Sequence, residues 1–306
     1  MPEADLLILA TGFLAASARA ATPLLWAALG EMLTERSGVI NLGVEGAMLT
    51  GALAGAIGGL AGGPWLGLVA AMAAGGTISL LFALVAIVAR ADQIITGTAV
   101  TLGAIGVTGL VARRVFGPDG PGLDLPRFAP FPIPFLHRIP ILGEGLFSQA
   151  IVFPLGAVVA VLLIWALFRT RWGLALRAVG EEPTAARAAG VSVRASRFVA
   201  TVLGGMAAGI GGGSLVLANV GTFTEEMTAG RGFIAIAIVV LGRWHPLGVL
   251  LAAFLFGMAS AMQFLFQALG LGVPYQIFLM LPYLLALAAL TGAVGRTRAP
   301  AALGKV

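Results

Sequence analysis

Glu45 stands four residues after Asn41 in TERSGVINLGVEG, Thr34 to Gly46, a polar stretch set between the apolar runs ATPLLWAAL and AMLTGALAGAIGGL. On a helix that spacing puts both side chains on one face. There an amide and a carboxylate could hydrogen-bond the hydroxyls or ring edges of a polar cargo. They could equally serve the chain itself, with Glu45 pairing with Arg36 or capping a broken helix. Glu225, Glu226 and Arg231 in NVGTFTEEMTAGR form a second cluster, suited to an outer gate, a receptor contact or an ion pair that fixes a turn. Gln263 and Gln267 share a helical face and could bind cargo or join two helices. Phe223, Phe233 and Phe264 could stack on a flat ring, whereas Trp244, between Arg243 and His245, fits an interfacial anchor. Asp92 and Thr96 fit helix-start chemistry.

The residue types that are missing narrow this chemistry. There is no cysteine, and the two histidines, His137 and His245, lie in separate polar stretches. No paired carboxylates, Ser-His-Asp set or metal cluster is discernible, so the chain reads as no enzyme, with no metal. What remains is binding and passage.

The elements that must position these groups are apolar. The chain of 306 residues is 59% hydrophobic and 10% charged, against about 25% charged in an ordinary soluble domain. With a mean hydropathy of +1.02, it reads as an all-α polytopic membrane protein, a single integral domain over residues 1–306. Nine apolar segments can be placed: Leu6–Leu29, Val39–Leu60, Trp65–Ala89, Ile94–Val115, Ser148–Phe168, Phe198–Val220, Gly230–Leu241, Pro246–Leu269 and Pro274–Thr291. That gives about eight to ten transmembrane helices. The first segment carries Arg19 and Pro23 and could break there. Gly230–Leu241 is too short to cross about 30 Å, so a broken or re-entrant element is expected around it. Glycine clusters such as GIGGGS, Gly209–Ser214, read as packing faces between helices.

Charge sets the orientation. The stretch 169–197 holds six arginines against Glu181 and Glu182, and the tail holds Arg296, Arg298 and Lys305. The positive-inside rule makes both cytoplasmic. Alternation then puts 90–93, 242–246 and 34–38 inside, and the proline-rich stretch 116–147 and the N-terminus outside. The opening MPEADLLILA lacks the basic region of a signal peptide. The net charge of +5 reflects this topology, not nucleic acid as a partner. Within 169–197, Pro183–Gly190 reads as a short helix, with Glu181 and Glu182 before it, Pro183 in its first turn and Gly190 closing it. Its small residues suit docking in a groove on a soluble partner, and its charge equally suits a basic inside loop that only fixes topology.

That loop, GxxxRAVGEEPTAARAAGVSV, closely resembles the cytoplasmic coupling loop of ABC importer permeases of the ribose and branched-chain amino acid superfamily. ERSGVINLGVEGAMLTGA and the later FTEEMTAGRGFIAIAIVVLGRWHPLG resemble its purine-nucleoside, or simple-sugar-type, branch. The resemblance implies a type II importer-like permease in a bacterial inner membrane, working by alternating access. It implies four kinds of partner: the lipid bilayer, an ABC ATPase that binds the ATP, a second permease subunit, commonly a paralogue, and an extracytoplasmic substrate-binding lipoprotein. No cofactor is then expected on this chain, which has no G-x-x-x-x-G-K-[ST]. Glu181, Glu182, Pro183, Ala186, Arg187 and Gly190 would couple to the ATPase. Asn41, Glu45, Phe223, Glu225, Arg231 and Gln263 would line the substrate pathway. Sister branches carry sugars, riboflavin or amino acids. A stand-alone secondary transporter would need inverted repeats and a midplane ion site, and neither is visible.

Overall fold

A computed structural model describes residues 3–117, 125–268, 275–291 and 298–305. Among them are twelve α-helices and no β-strand. In chain order they are α1 (Glu3–Arg36), α2 (Val44–Gly62), α3 (Pro64–Ala83), α4 (Gln93–Phe116), α5 (Leu142–Leu146) and α6 (Val152–Arg169), then α7 (Arg171–Glu181), α8 (Pro183–Ala188), α9 (Val193–Ser214), α10 (Arg231–Leu241), α11 (Pro246–Ala268) and α12 (Tyr275–Leu290). α3 and α9 each continue as a π-helical turn, Leu84–Val88 and Leu215–Val220. Among the described residues six helices are long and apolar enough to cross a membrane, namely α1, α2, α3, α4, α6 and α9, the third and the last with their π turns. Every apolar segment expected from the sequence appears as a helix, so the protein is an all-α polytopic membrane protein.

The first segment does not break at Arg19–Pro23. α1 runs unbroken for 34 residues. Proline lacks the amide that would bond the carbonyl four residues earlier, which leaves the Arg19 carbonyl short of a partner. Asn219, on the π turn after α9, donates its side-chain amide to that carbonyl at 3.1 Å. A polar group 200 residues away thus satisfies the defect and lets the helix continue.

Glycine brings α9 into backbone contact with three helices. A Cβ on Gly30 would meet the Gly204 carbonyl at 2.3 Å, one on Gly51 the Gly209 carbonyl at 2.4 Å, and one on Gly75 the Gly205 carbonyl at 2.4 Å. Gly212 lies against the backbone of Met48 in the same way. The glycine clusters are therefore packing faces, as small residues are between membrane helices. α2 and α9 are the most enclosed spans, while α4 and α6 turn Leu102, Val107, Leu110, Val161, Leu162 and Trp165 outward.

The polar segments gather at two ends. At one end Gly180 abuts the Arg36 carbonyl, Ala302 donates to the Gly180 carbonyl at 2.9 Å, Gly304 donates to the Gly38 carbonyl at 3.0 Å, and Arg194 reaches the Val88 carbonyl at 2.9 Å. This end, here the loop end, collects 34–38, 88–93, 171–197, 242–245 and 298–305. The opposite end holds 125–150, where Gly145 packs on Leu14 of α1.

Candidate functional site

α2 begins at Val44, so Asn41 lies before the helix and does not share a helical face with Glu45. The reason is local. Asn41 Oδ1 accepts from the Gly43 amide at 3.0 Å, an Asx turn that competes with helix at asparagine. The Asn41 amide in turn donates to Glu31 Oε1 at 3.0 Å, and its Nδ2 faces Ser79 Oγ at 3.4 Å. Asn41 is buried and shapes the re-entry of the chain into α2.

Glu45, one residue into α2, reaches across to another helix. Its Oε1 accepts from Thr228 Oγ1 at 2.6 Å and from the Gly230 amide at 2.8 Å, and its Oε2 accepts from the Gly232 amide at 2.6 Å. Gly230 is the N-cap of α10, in the left-handed region at φ 79°, and the backbone there offers no side-chain cap of its own. The first amides of a helix have no internal partner and carry its positive dipole end. Glu45 therefore caps α10 from a different element, one of the alternatives its position allowed. It makes no ion pair with Arg36, whose Nε donates to the Trp244 carbonyl at 2.7 Å.

α10 has 11 residues, about 16 Å at about 1.5 Å each, half a membrane. The segment 221–230 before it is irregular, which completes the broken element expected there. Arg231 locks that segment from within, donating from Nη1 to the Met227 carbonyl at 3.0 Å and the Thr228 carbonyl at 3.2 Å. Tyr283 of α12 donates its hydroxyl to the Ala229 carbonyl at 3.1 Å. Thr224, Glu225, Glu226 and Phe233 are exposed. Glu225 pairs bidentately with Arg113 near the end of α4, at 2.8 and 3.0 Å. The hydrogen bonds from Arg113 hold the Glu225 carboxyl below its ordinary value of 4.5. Phe223 points the other way, fully buried in an apolar cluster and 6.4 Å from the Phe116 ring. The side chains of Gln263, Phe264 and Gln267 lie outside the described residues, as do the positions of Pro121 and Arg296.

Sequence reasoning missed three residues. Glu31 is buried one turn before Glu35. The Trp244 indole donates to Glu35 Oε2, so Trp244 is a ligand of a buried carboxylate and not only an interfacial anchor. A signal for Glu31 was present, since an acid inside an apolar run is costly unless partnered. Arg113 had a weaker one, a cation at the end of an apolar segment.

At the loop end Thr170 caps α7 at the Gly173 amide, 3.1 Å, and Ser192 caps α9 at the Ala195 amide, 3.3 Å. α8 follows Pro183 as expected and ends before Gly190, at φ 82°. Thr184, Ala185, Arg187, Ala188 and Ala189 are exposed, with Glu181 and Glu182 beside them. Glu182 accepts from the Thr184 hydroxyl. Ala186 is buried against Val179 of α7 and Val193 of α9. The outer face of α8 is thus small and open, and its inner face is keyed to the first turn of a spanning helix.

Comparisons with known proteins agree with this architecture. Residues 13–290 match the family model described as branched-chain amino acid transport system / permease component. The chain is 39% identical to the guanosine ABC transporter permease protein NupQ of Bacillus subtilis, over 93% of this chain and 92% of that protein. It is 37% identical to the putative glucose ABC transporter permease protein TsgC13 of Haloferax volcanii, over 94% and 93%. It is 34% identical to the nucleoside ABC transporter permease protein NupC of Lactococcus lactis, over 92% of each. No solved structure gives a significant match.

Proposed function

Since the chain belongs to the branched-chain amino acid transport system / permease component family, and is thereby a permease subunit of an ABC importer working with an ATPase and a substrate-binding protein, we propose that its cargo is a purine nucleoside or a related ribosyl compound. The observation that carries this reading is the pair of relatives named for guanosine and nucleosides, each matched over more than nine-tenths of both chains. A simple sugar is the second reading, favoured by the relative named for glucose.

In the proposed mechanism the loop end faces the cytoplasm, and the ATPase, which binds the ATP, grips the outer face of α8. Glu181, Glu182, Pro183, Arg187 and Gly190 frame that face. Ala186 passes its displacement to Val193 and so to α9. α9 packs backbone to backbone on α2, and Glu45 ties the start of α2 to the start of α10. A pull on α8 is thereby conveyed to the irregular segment 221–230. Glu225 and Glu226 are on its exposed face and, with Arg113 of α4 and Phe233 of α10, line the pathway against a second permease subunit. Glu45 and Arg231 hold that segment in place from behind, Asn41 shapes the turn that leads to Glu45, and Phe223 anchors the segment in the apolar core. The substrate-binding lipoprotein delivers cargo at the opposite end.

The test is uptake of labelled guanosine by cells expressing the complete importer. Competition by unlabelled purine nucleosides and none by glucose is the expected result. Competition by glucose alone would replace the nucleoside reading with the sugar one.

A further inference from the structure

At the loop end a cavity of about 250 Å³ opens between the π turn after α3, the start of α4, α8 and the start of α9. Arg90, Arg187, Arg194 and Arg197 line it, together with Gln93, and no acid does. Among the described residues the one recorded ion pair is Arg113–Glu225, at the far end of α4. The four guanidinium groups therefore share a cavity without a carboxylate partner.

Four like charges in one cavity repel one another, and backbone carbonyls hold two of them there, Arg194 and Arg197. Arg197 is 6% exposed and donates from Nε to the Ser37 carbonyl at 3.2 Å. Arg194 is fixed through the Val88 carbonyl at 2.9 Å. Arg90 sits in the left-handed region at φ 61°, a strained conformation for a residue with a side chain, of the kind that clusters at functional sites. Gln93 is pinned by the Ile40 amide, which donates to its Oε1 at 2.8 Å. Guanidinium groups converging on one cavity, two of them fixed, match a phosphate group, whose oxygens accept several charge-assisted hydrogen bonds at once.

The surroundings indicate how that phosphate arrives. Leu84, Val85, Val88, Ile94, Ile95 and Val199 are all exposed beside the cavity. They form an apolar flank on the spanning helices next to the arginines in the chain. An acyl chain would lie along this flank while its headgroup entered the cavity. Ala185 and Ala188, on the open face of α8 that serves the ATPase, are not part of the lining, and Arg187 stands at the border between that face and the cavity.

We propose that this cavity is a phosphate site filled by the headgroup of an anionic phospholipid of the adjacent leaflet. It joins the coupling helix, through Arg187, to the starts of α4 and α9. The site does not depend on which cargo the protein carries.

The test is thermal melting and native mass spectrometry of the assembled importer in detergent. The probes are phosphatidylglycerol, phosphatidylcholine and inorganic phosphate, each added alone. Phosphatidylglycerol is expected to raise the melting temperature and remain bound, and phosphatidylcholine to do neither. In Arg90→Gln/Arg194→Gln the phosphatidylglycerol concentration for half-maximal effect should rise about 30-fold, on a scale of about tenfold or less per arginine near a membrane surface. Arg187→Gln, which disturbs no backbone bond, should weaken the lipid effect in the same direction. Arg138→Gln, at the opposite end, should leave it unchanged. An equal shift by inorganic phosphate, with none added by the lipid, keeps the phosphate chemistry and assigns a soluble source. Equal response to both lipids, or an unaltered response in the double variant, overturns the site. So does lipid dependence seen in the permease alone and lost when the ATPase is present, which would give the cavity to an acidic surface of that partner.

Discussion

Glu45 Oε2, near the start of α2, accepts the amide of Gly232, near the start of α10, at 2.6 Å. The same carboxylate serves Thr228 and Gly230, so one side chain satisfies the otherwise uncapped end of a half-length helix. Glu45→Ala leaves these donors unpaired in a buried setting and should cost about 3 kcal/mol. Glu45→Gln keeps one acceptor and should cost less. Melting of the purified protein reads both; equal stability of the alanine variant and the parent would refute the capping role.

Trp244 and Glu35 form a second cross-chain contact at the loop end. Trp244→Phe removes the indole donor and leaves a buried carboxylate short of a partner, at a cost of about 2 kcal/mol. Glu35→Gln in the Trp244→Phe background should recover part of that loss. A double-mutant cycle with no coupling between the two positions would show that the contact contributes nothing.

α8 separates docking from packing on two faces. Ala185→Asp and Ala188→Asp lie on the open face, so the melting temperature should stay near that of the parent, as surface changes usually cost within about 0.5 kcal/mol. Uptake should be abolished. Ala186→Asp puts a charge between Val179 and Val193 and should cost roughly 3 kcal/mol. Normal uptake by the Ala185 variant would remove α8 from the coupling route.

The Arg113–Glu225 pair carries a pH signature. Because the folded Glu225 carboxyl titrates below 4.5, the pair's contribution is present above that pH and is lost only as pH falls through the lowered value. Infrared difference titration of the protein against Glu225→Gln should place this carboxyl below pH 4.5. The pair is exposed, so Glu225→Gln should leave the melting temperature unchanged. If the pair shapes the pathway, Arg113→Glu should impair uptake and the added Glu225→Arg should restore it.

The apolar segments and the short helix after Pro183 were legible because composition and local start signals determine them. Asp92, expected to open a helix, accepts from the Ile95 amide at 2.9 Å. The unbroken α1 was not legible, since Pro23 is a local signal and its remedy, Asn219, is distant in sequence. Asn41 was placed on a helix because spacing alone cannot tell an Asx turn from a first turn. The partners of Glu45 and Glu35 were hidden for a similar reason. A buried carboxylate announces that it needs donors, but not which of the backbone amides or indoles elsewhere in the chain will supply them.

Helices that touch through side chains can slide, because rotamers repack as the layers pass. α9 leaves no such layer at Gly204, Gly205, Gly209 and Gly212, where its backbone lies directly on α1, α2 and α3. Shifting one helix here by a residue would drive carbonyls into side chains. These four helices interlock backbone to backbone and form one wedge. The compliance that transport needs must then lie at the wedge's margins, in the irregular strap 221–230 and the half-helix it leads into.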